Sequence, residues 1–250
     1  LVAQIGGLVG DIKAIRRPLA FWLLILIVPV TIATFLHTPW GDDAYERWLA
    51  KANYFFVDGQ ISKQNLYLAE PNDDPVLWPL TASWLYHILG KSSEFWVQII
   101  PLVVFLLLVV EFWRLSDKIS YKYALIVILA ATPLLWGQVV LPEYSGNADL
   151  VLSFYFLLAF GALVGNQIVY AATFFGIAAL VKNDALPALV GFIFLLIVGS
   201  LLTKTKLQKT ALVIAAGFLI FNIAWKAHYG LSNRFIERDI GEVLAQRPFF

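Results

Sequence analysis

The sequence predicts an all-α fold: a polytopic transmembrane helical bundle of about seven spans, with amphipathic juxtamembrane helices in a long first extracytoplasmic loop. Three observations predict it. Hydrophobic residues make up 60% of the 250 residues, where soluble domains usually hold ~45–50%. Charged residues make up 14%, against a usual ~25%. Mean hydropathy is +0.76. Few soluble folds of this size hide that much apolar surface, so composition excludes an ordinary soluble enzyme, a disordered chain and a secreted disulfide module. The chain has no Cys, which excludes disulfides, thiolate catalysis and Cys-ligated metal sites. The net charge of +1 is too balanced for a nucleic-acid partner. The chain begins at Leu1 and has no Met, so it reads as part of a longer protein. With no Gly/Ser linker and no low-complexity stretch, residues 1–250 are expected to form one domain.

The elements follow in order. Leu19–Leu36 is a charge-free run behind Lys13, Arg16 and Arg17, which hold the N-terminus in the cytoplasm. A cleaved signal peptide has a similar pattern, but other spans follow and no small-residue cleavage site precedes His37. The later spans are Phe95–Trp113, Tyr123–Leu141, Leu150–Val164, Ile168–Val181, Ala185–Leu202 and Ala211–Ala227. Residues 150–181 carry no charge and read as one long helix or as a hairpin turning at Gly165-Asn166-Gln167. The positive-inside rule favours the hairpin, which keeps Lys204, Lys206 and Lys209 in the cytoplasm. Pro75–Leu89 is apolar but short and holds Pro79 and His87, so it is assigned to the membrane interface. In this topology nine Lys/Arg are cytoplasmic, and 14 of the 17 acids face outward.

Three polar clusters then lie on the outer face. The first opens the loop at residues 37–94 with His37-Thr38-Pro39-Trp40-Gly41-Asp42-Asp43. A helix follows, with Tyr45, Trp48, Leu49, Ala52, Phe55 and Phe56 on one face. Asp43 has capping-box spacing to Glu46 and reads as an N-cap. Asp42 is surplus to capping, and reads as a solvated loop acid, a proton acceptor or a ligand of a divalent ion. The second cluster is the turn Pro142–Asp149, where Glu143 has no capping role and Asp149 is placed either to cap the next helix or to serve a site. In the third, Lys182-Asn183-Asp184, Lys182 either pairs with Asp184 or binds phosphate. Arg234, Arg238 and Arg247 follow in the outer tail, as a charged surface helix or as phosphate contacts. Carboxylates to activate an acceptor and cations to hold phosphate, at a lipid boundary, point to chemistry on a lipid-linked phosphate.

The order of these motifs resembles the GT-C glycosyltransferases, in particular the protein O-mannosyltransferase and aminoarabinose transferase branch. The resemblance rests on Gly41-Asp42-Asp43-Ala44-Tyr45, on Asp74-Pro75-Val76-Leu77-Trp78-Pro79-Leu80, on Tyr144-Ser145-Gly146-Asn147-Ala148-Asp149, and on Leu180-Val181-Lys182-Asn183-Asp184. It covers residues ~10–205 and corresponds to the N-terminal part of such enzymes. It implies transfer of a sugar from a polyprenyl-phosphate donor to a glycan, lipid or protein acceptor, at the outer face of a bacterial or archaeal plasma membrane. It also implies roles: Asp42 as base, Asp43 assisting, Glu143 and Asp149 orienting the acceptor or holding a metal, and Lys182, Asp184 and Arg234 at the substrate. A divalent cation is required in some relatives and not in others. Two other classes compete: a transporter or flippase, with ionisable residues near the midplane and internal repeats, and a non-catalytic assembly subunit.

Overall fold

The computed structural model describes residues 27–39, 41, 43–62, 74–116, 133–203 and 207–229. Among them every regular element is a helix and there is no strand. Helix α1 covers residues 27–34, the end of the expected first span. Its Thr34 hydroxyl donates back to the Val30 carbonyl at 2.7 Å, which satisfies a polar group within an apolar helix.

The long loop folds into a helical cap. Helix α2 (Asp43–Leu49) is wound as a π-helix and runs into α3 (Ala50–Asp58). The wider i→i+5 turn shifts the buried face, which runs Ala44, Trp48, Leu49, Lys51, Ala52 and Phe55. Tyr45, expected on that face, is rotated off it and is 54% exposed. Asp43 lies in the first turn of α2, one position inside the place of an N-cap. Helix α4 (Leu77–Leu89) packs on α3 around Ala52, Ala82 and Tyr86. Its outer side presents Leu80, Trp84 and Ile88, spaced four residues apart.

Helices α5 (Glu94–Val97) and α6 (Ile99–Ser116) follow, and Ser93 caps the start of α5 by accepting from the Trp96 N–H at 3.4 Å. Helix α7 (Pro133–Val140) leads to the second cluster. Helices α8 (Asp149–Val164) and α9 (Ile168–Ala179) form a hairpin. Its turn falls at Gly165-Asn166-Gln167, with Asn166 left-handed at φ 56° and the Gln167 N–H donating to the Ala162 carbonyl at 2.7 Å. Helices α10 (Ala185–Thr203) and α11 (Leu207–Tyr229) complete the set.

The packing order is α6 on α8, α8 on α9, α9 on α11, and α11 on α10. The α9–α11 interface is the most extensive. There a Cβ at Gly217 would lie 2.8 Å from the Ala172 carbonyl oxygen, and Gly176 sits directly against the Phe221 ring. Small residues let these two backbones approach closely, which is how helices associate where burial of apolar surface supplies no driving force. Phe160, Phe175 and Phe192 join α8, α9 and α10, with Phe175 stacked on Phe192 at 5.2 Å. At the far end of α6 the buried Glu111 accepts two hydrogen bonds from Arg114, at 2.8 and 2.5 Å, with Gly161 of α8 against them.

Seven spans are not supported by the described residues. Two helices there are long and apolar enough to cross a bilayer, Glu94–Leu115 and Lys209–His228. Helices α8 and α9 and the apolar stretch Ala185–Val198 of α10 are shorter than the ~17–25 apolar residues of a usual span. Of the expected spans Leu19–Leu36 and Tyr123–Leu141, residues 19–26 and 123–132 lie outside the described residues, and the rest of each is mostly helical.

Candidate functional site

The three polar clusters meet at one end of the helices. His37, Pro39, Gly41 and Ala44 lie against the segment at 140–146. The His37 Nε2–H donates to the Val140 carbonyl, and the Gly41 N–H donates to the Pro142 carbonyl at 3.4 Å. Gly41 is required by close approach, because a Cβ there would drive into the backbone carbonyl of Glu143. Gly146 holds a positive φ of 93°, which only glycine adopts readily, and its α-carbon faces Ala44 and Pro39. The start of α4 then joins the second cluster to the third. The Trp78 indole N–H donates to the Gly146 carbonyl at 2.6 Å, and the Leu77 N–H donates to the Leu180 carbonyl at 2.8 Å. The Gln98 side-chain amide donates to the His37 carbonyl at 2.6 Å, which fixes the entry to the first cluster on the long helix.

Charge completes the junction. Lys182 Nζ lies 2.7 Å from Asp149 Oδ1 and 3.0 Å from Asp184 Oδ2. Asp149 therefore binds Lys182 rather than capping α8; the cap position is Ala148, and no side chain caps it. Burial works against the Lys182 ammonium, but the hydrogen bonds and charges of Asp149 and Asp184 outweigh it, and the net effect raises its pKa. The place between these two carboxylates, where a divalent ion would have to sit, is held by the Lys182 ammonium. Among the described residues no three His, Asp or Glu side chains gather as a metal-binding group.

A second charged group sits beside this junction and was not anticipated from the sequence. Arg47 donates to both oxygens of Asp74, Nη2 to Oδ1 at 2.6 Å and Nε to Oδ2. Lys51 Nζ lies 3.9 Å from the same carboxylate, and Lys51 and Asp74 are both fully buried. The Arg47 guanidinium stands 4.9 Å over the Trp48 ring. One signal was present: Arg47 and Lys51 are four residues apart among Trp48, Ala52 and Phe55, on a face otherwise bound for burial. Lys226, buried near the end of α11, is another such residue. The register set by Ala172–Gly217 and Gly176–Phe221 carries it level with the 180–182 end of α9.

Of the expected site residues, Asp149, Lys182 and Asp184 are in direct contact. Glu143 is exposed on the turn, with its carbonyl against Gly41. Asp43 follows the docked segment at the head of α2. Asp42 and Arg234 lie outside the described residues. Ser145 Oγ and Asn147 Oδ1 are buried within the turn, with no hydrogen-bond partner among the described residues. Comparison of the chain with protein-family models, with curated proteins and with solved structures finds no match.

Proposed function

We propose that this chain is a membrane glycosyltransferase, moving a sugar from a polyprenyl-phosphate donor to an acceptor hydroxyl on the extracytoplasmic face. The observation that carries the reading is the meeting of His37, Gly41 and Ala44 with residues 142–149 and 180–184 at one end of an apolar helical array. A polar corner at the end of apolar helices is where a lipid-borne phosphate and a water-borne acceptor can meet. The outward faces of α10 and α11 support a lipid setting, since Phe194, Leu195, Leu212 and Ile220 are all exposed. In this reading the chain crosses the membrane about seven times, with its N-terminus cytoplasmic, and α3 and α4 lie along the outer interface.

The proposed chemistry is a single displacement. The Asp42 carboxylate takes the proton of the acceptor hydroxyl as that oxygen attacks the anomeric carbon. The bond from this carbon to the phosphate oxygen breaks, the electron pair leaves with the lipid phosphate, and configuration inverts. Asp43 assists, Glu143 orients the acceptor, and Arg234 offsets charge on the departing phosphate. Asp149, Lys182 and Asp184 form a rigid floor, because each carboxylate is fixed by the shared ammonium.

The test is transfer from a panel of polyprenyl-phosphate hexoses and pentoses in liposomes. Asp42→Asn should lower turnover by about 10²–10⁴, the range for loss of a general base, with the melting temperature unchanged. Retained turnover in a folded Asp42→Asn protein would remove the base assignment. No transfer from any donor by the unaltered protein would remove the reading.

A further inference from the structure

Asp149 and Asp184 reach Lys182 from two different helices. Asp149 opens α8, and Asp184 stands immediately before α10. One ammonium therefore ties the starts of two helices together, at 2.7 and 3.0 Å. The Lys182 side chain is only 13% exposed, whereas Asp149 and Asp184 are 41% and 51% exposed. A divalent ion joins segments of a fold by binding carboxylates from each, with carbonyls and waters completing its shell. Here a side chain of the chain itself stands in that place, with three N–H donors for the two carboxylates.

We propose that Lys182 is the resident cation of this corner. It occupies the place between Asp149 and Asp184 that a divalent ion would otherwise take, and it makes the corner indifferent to such ions. The chain keeps one net negative charge there, and a second cation between the carboxylates would face the ammonium at contact distance. Removal of the ammonium leaves two carboxylates within reach of a single ion after a small closure. The proposal does not depend on sugar transfer, and its readout is cation binding.

The experiment uses the purified chain in detergent, with melting temperature and Mn²⁺ paramagnetic resonance as readouts. The unaltered protein should melt at the same temperature in EDTA and in about 10 mM Ca²⁺, well above the weak-site range. Lys182→Met should melt lower in EDTA and recover on adding Ca²⁺, half-maximally on the order of 1 mM. Adding Asp149→Asn to it should weaken Mn²⁺ binding about tenfold or more, since one of the two carboxylate ligands is lost. Lys182→Arg keeps a cation and should stay blind to Ca²⁺. Two results overturn the proposal: a Ca²⁺-induced rise in the unaltered protein that Asp149→Asn abolishes, or a folded Lys182→Met that binds no more Mn²⁺ than its Asp149→Asn derivative. Where Lys182→Met does not fold, the unaltered protein and Lys182→Arg decide. A response to Ca²⁺ that depends on Asp149 refutes the proposal, and the lack of one supports it.

Discussion

Gly217→Ala should loosen the close contact between α9 and α11. A Cβ at this residue would lie 2.8 Å from the Ala172 oxygen and 2.9 Å from the Ala172 Cβ. Carbon atoms rest ~3.5–4.0 Å apart, so α9 and α11 must part by roughly 0.5–1 Å. Overpacking of this kind costs about 1–3 kcal/mol. The better helix propensity of alanine offsets ~1 kcal/mol, which leaves a net loss of about 0–2 kcal/mol. Gly191 of α10 is the internal control, because nothing lies within 4 Å of a Cβ placed there. Gly191→Ala should therefore gain up to ~1 kcal/mol. At ~2–4 °C per kcal/mol for a chain of this size, Gly217→Ala should melt several degrees below Gly191→Ala. Adding Ala172→Gly should recover part of the difference, since it removes the facing Cβ and keeps the facing carbonyl. Thermal unfolding in detergent, followed by tryptophan fluorescence, reads all four proteins. If Gly217→Ala melts with or above Gly191→Ala, the close α9–α11 contact is wrong.

Three further outcomes are expected. A raised folded pKa at Lys182 means that its stabilisation is complete below the unfolded value of ~10.4 and is lost as pH rises through the folded one. The alkaline unfolding midpoint should therefore fall in Asp149→Asn, and equal midpoints would refute the linkage. Arg114→Ala strands the buried Glu111 carboxylate and should cost about 3–5 kcal/mol in thermal unfolding, while Glu111→Gln in addition should recover most of it; a double variant as unstable as the single one would refute the pairing. The chain has no Cys, so single cysteines report sidedness without background. Tyr144→Cys should react with an impermeant reagent from outside and Asn166→Cys should not, and the reverse pattern would invert the proposed topology.

Helix positions were readable because an apolar run of a given length is a local quantity. The expected spans Leu150–Val164 and Ala185–Leu202 correspond closely to α8 (Asp149–Val164) and α10 (Ala185–Thr203). The hairpin at 165–167 was expected from the positive-inside rule applied to Lys204, Lys206 and Lys209. The tilt of Tyr45 out of the buried face was not readable, because it depends on the π-helical turn of α2. Nor was the loss of the capping role at Asp149. Its first-turn position suited a cap, but a lysine 33 residues away claims the carboxylate.

The sequence by itself determined an all-helical chain with apolar runs and polar residues gathered at their ends. Those properties are set by composition and spacing, which act over a few turns of helix. Only the tertiary structure decided what the polar residues hold. Trp78 meets Gly146 across 68 residues, and Arg47 meets Asp74 across 27. Such pairs form only after the helices have packed, because each joins segments that are far apart along the chain.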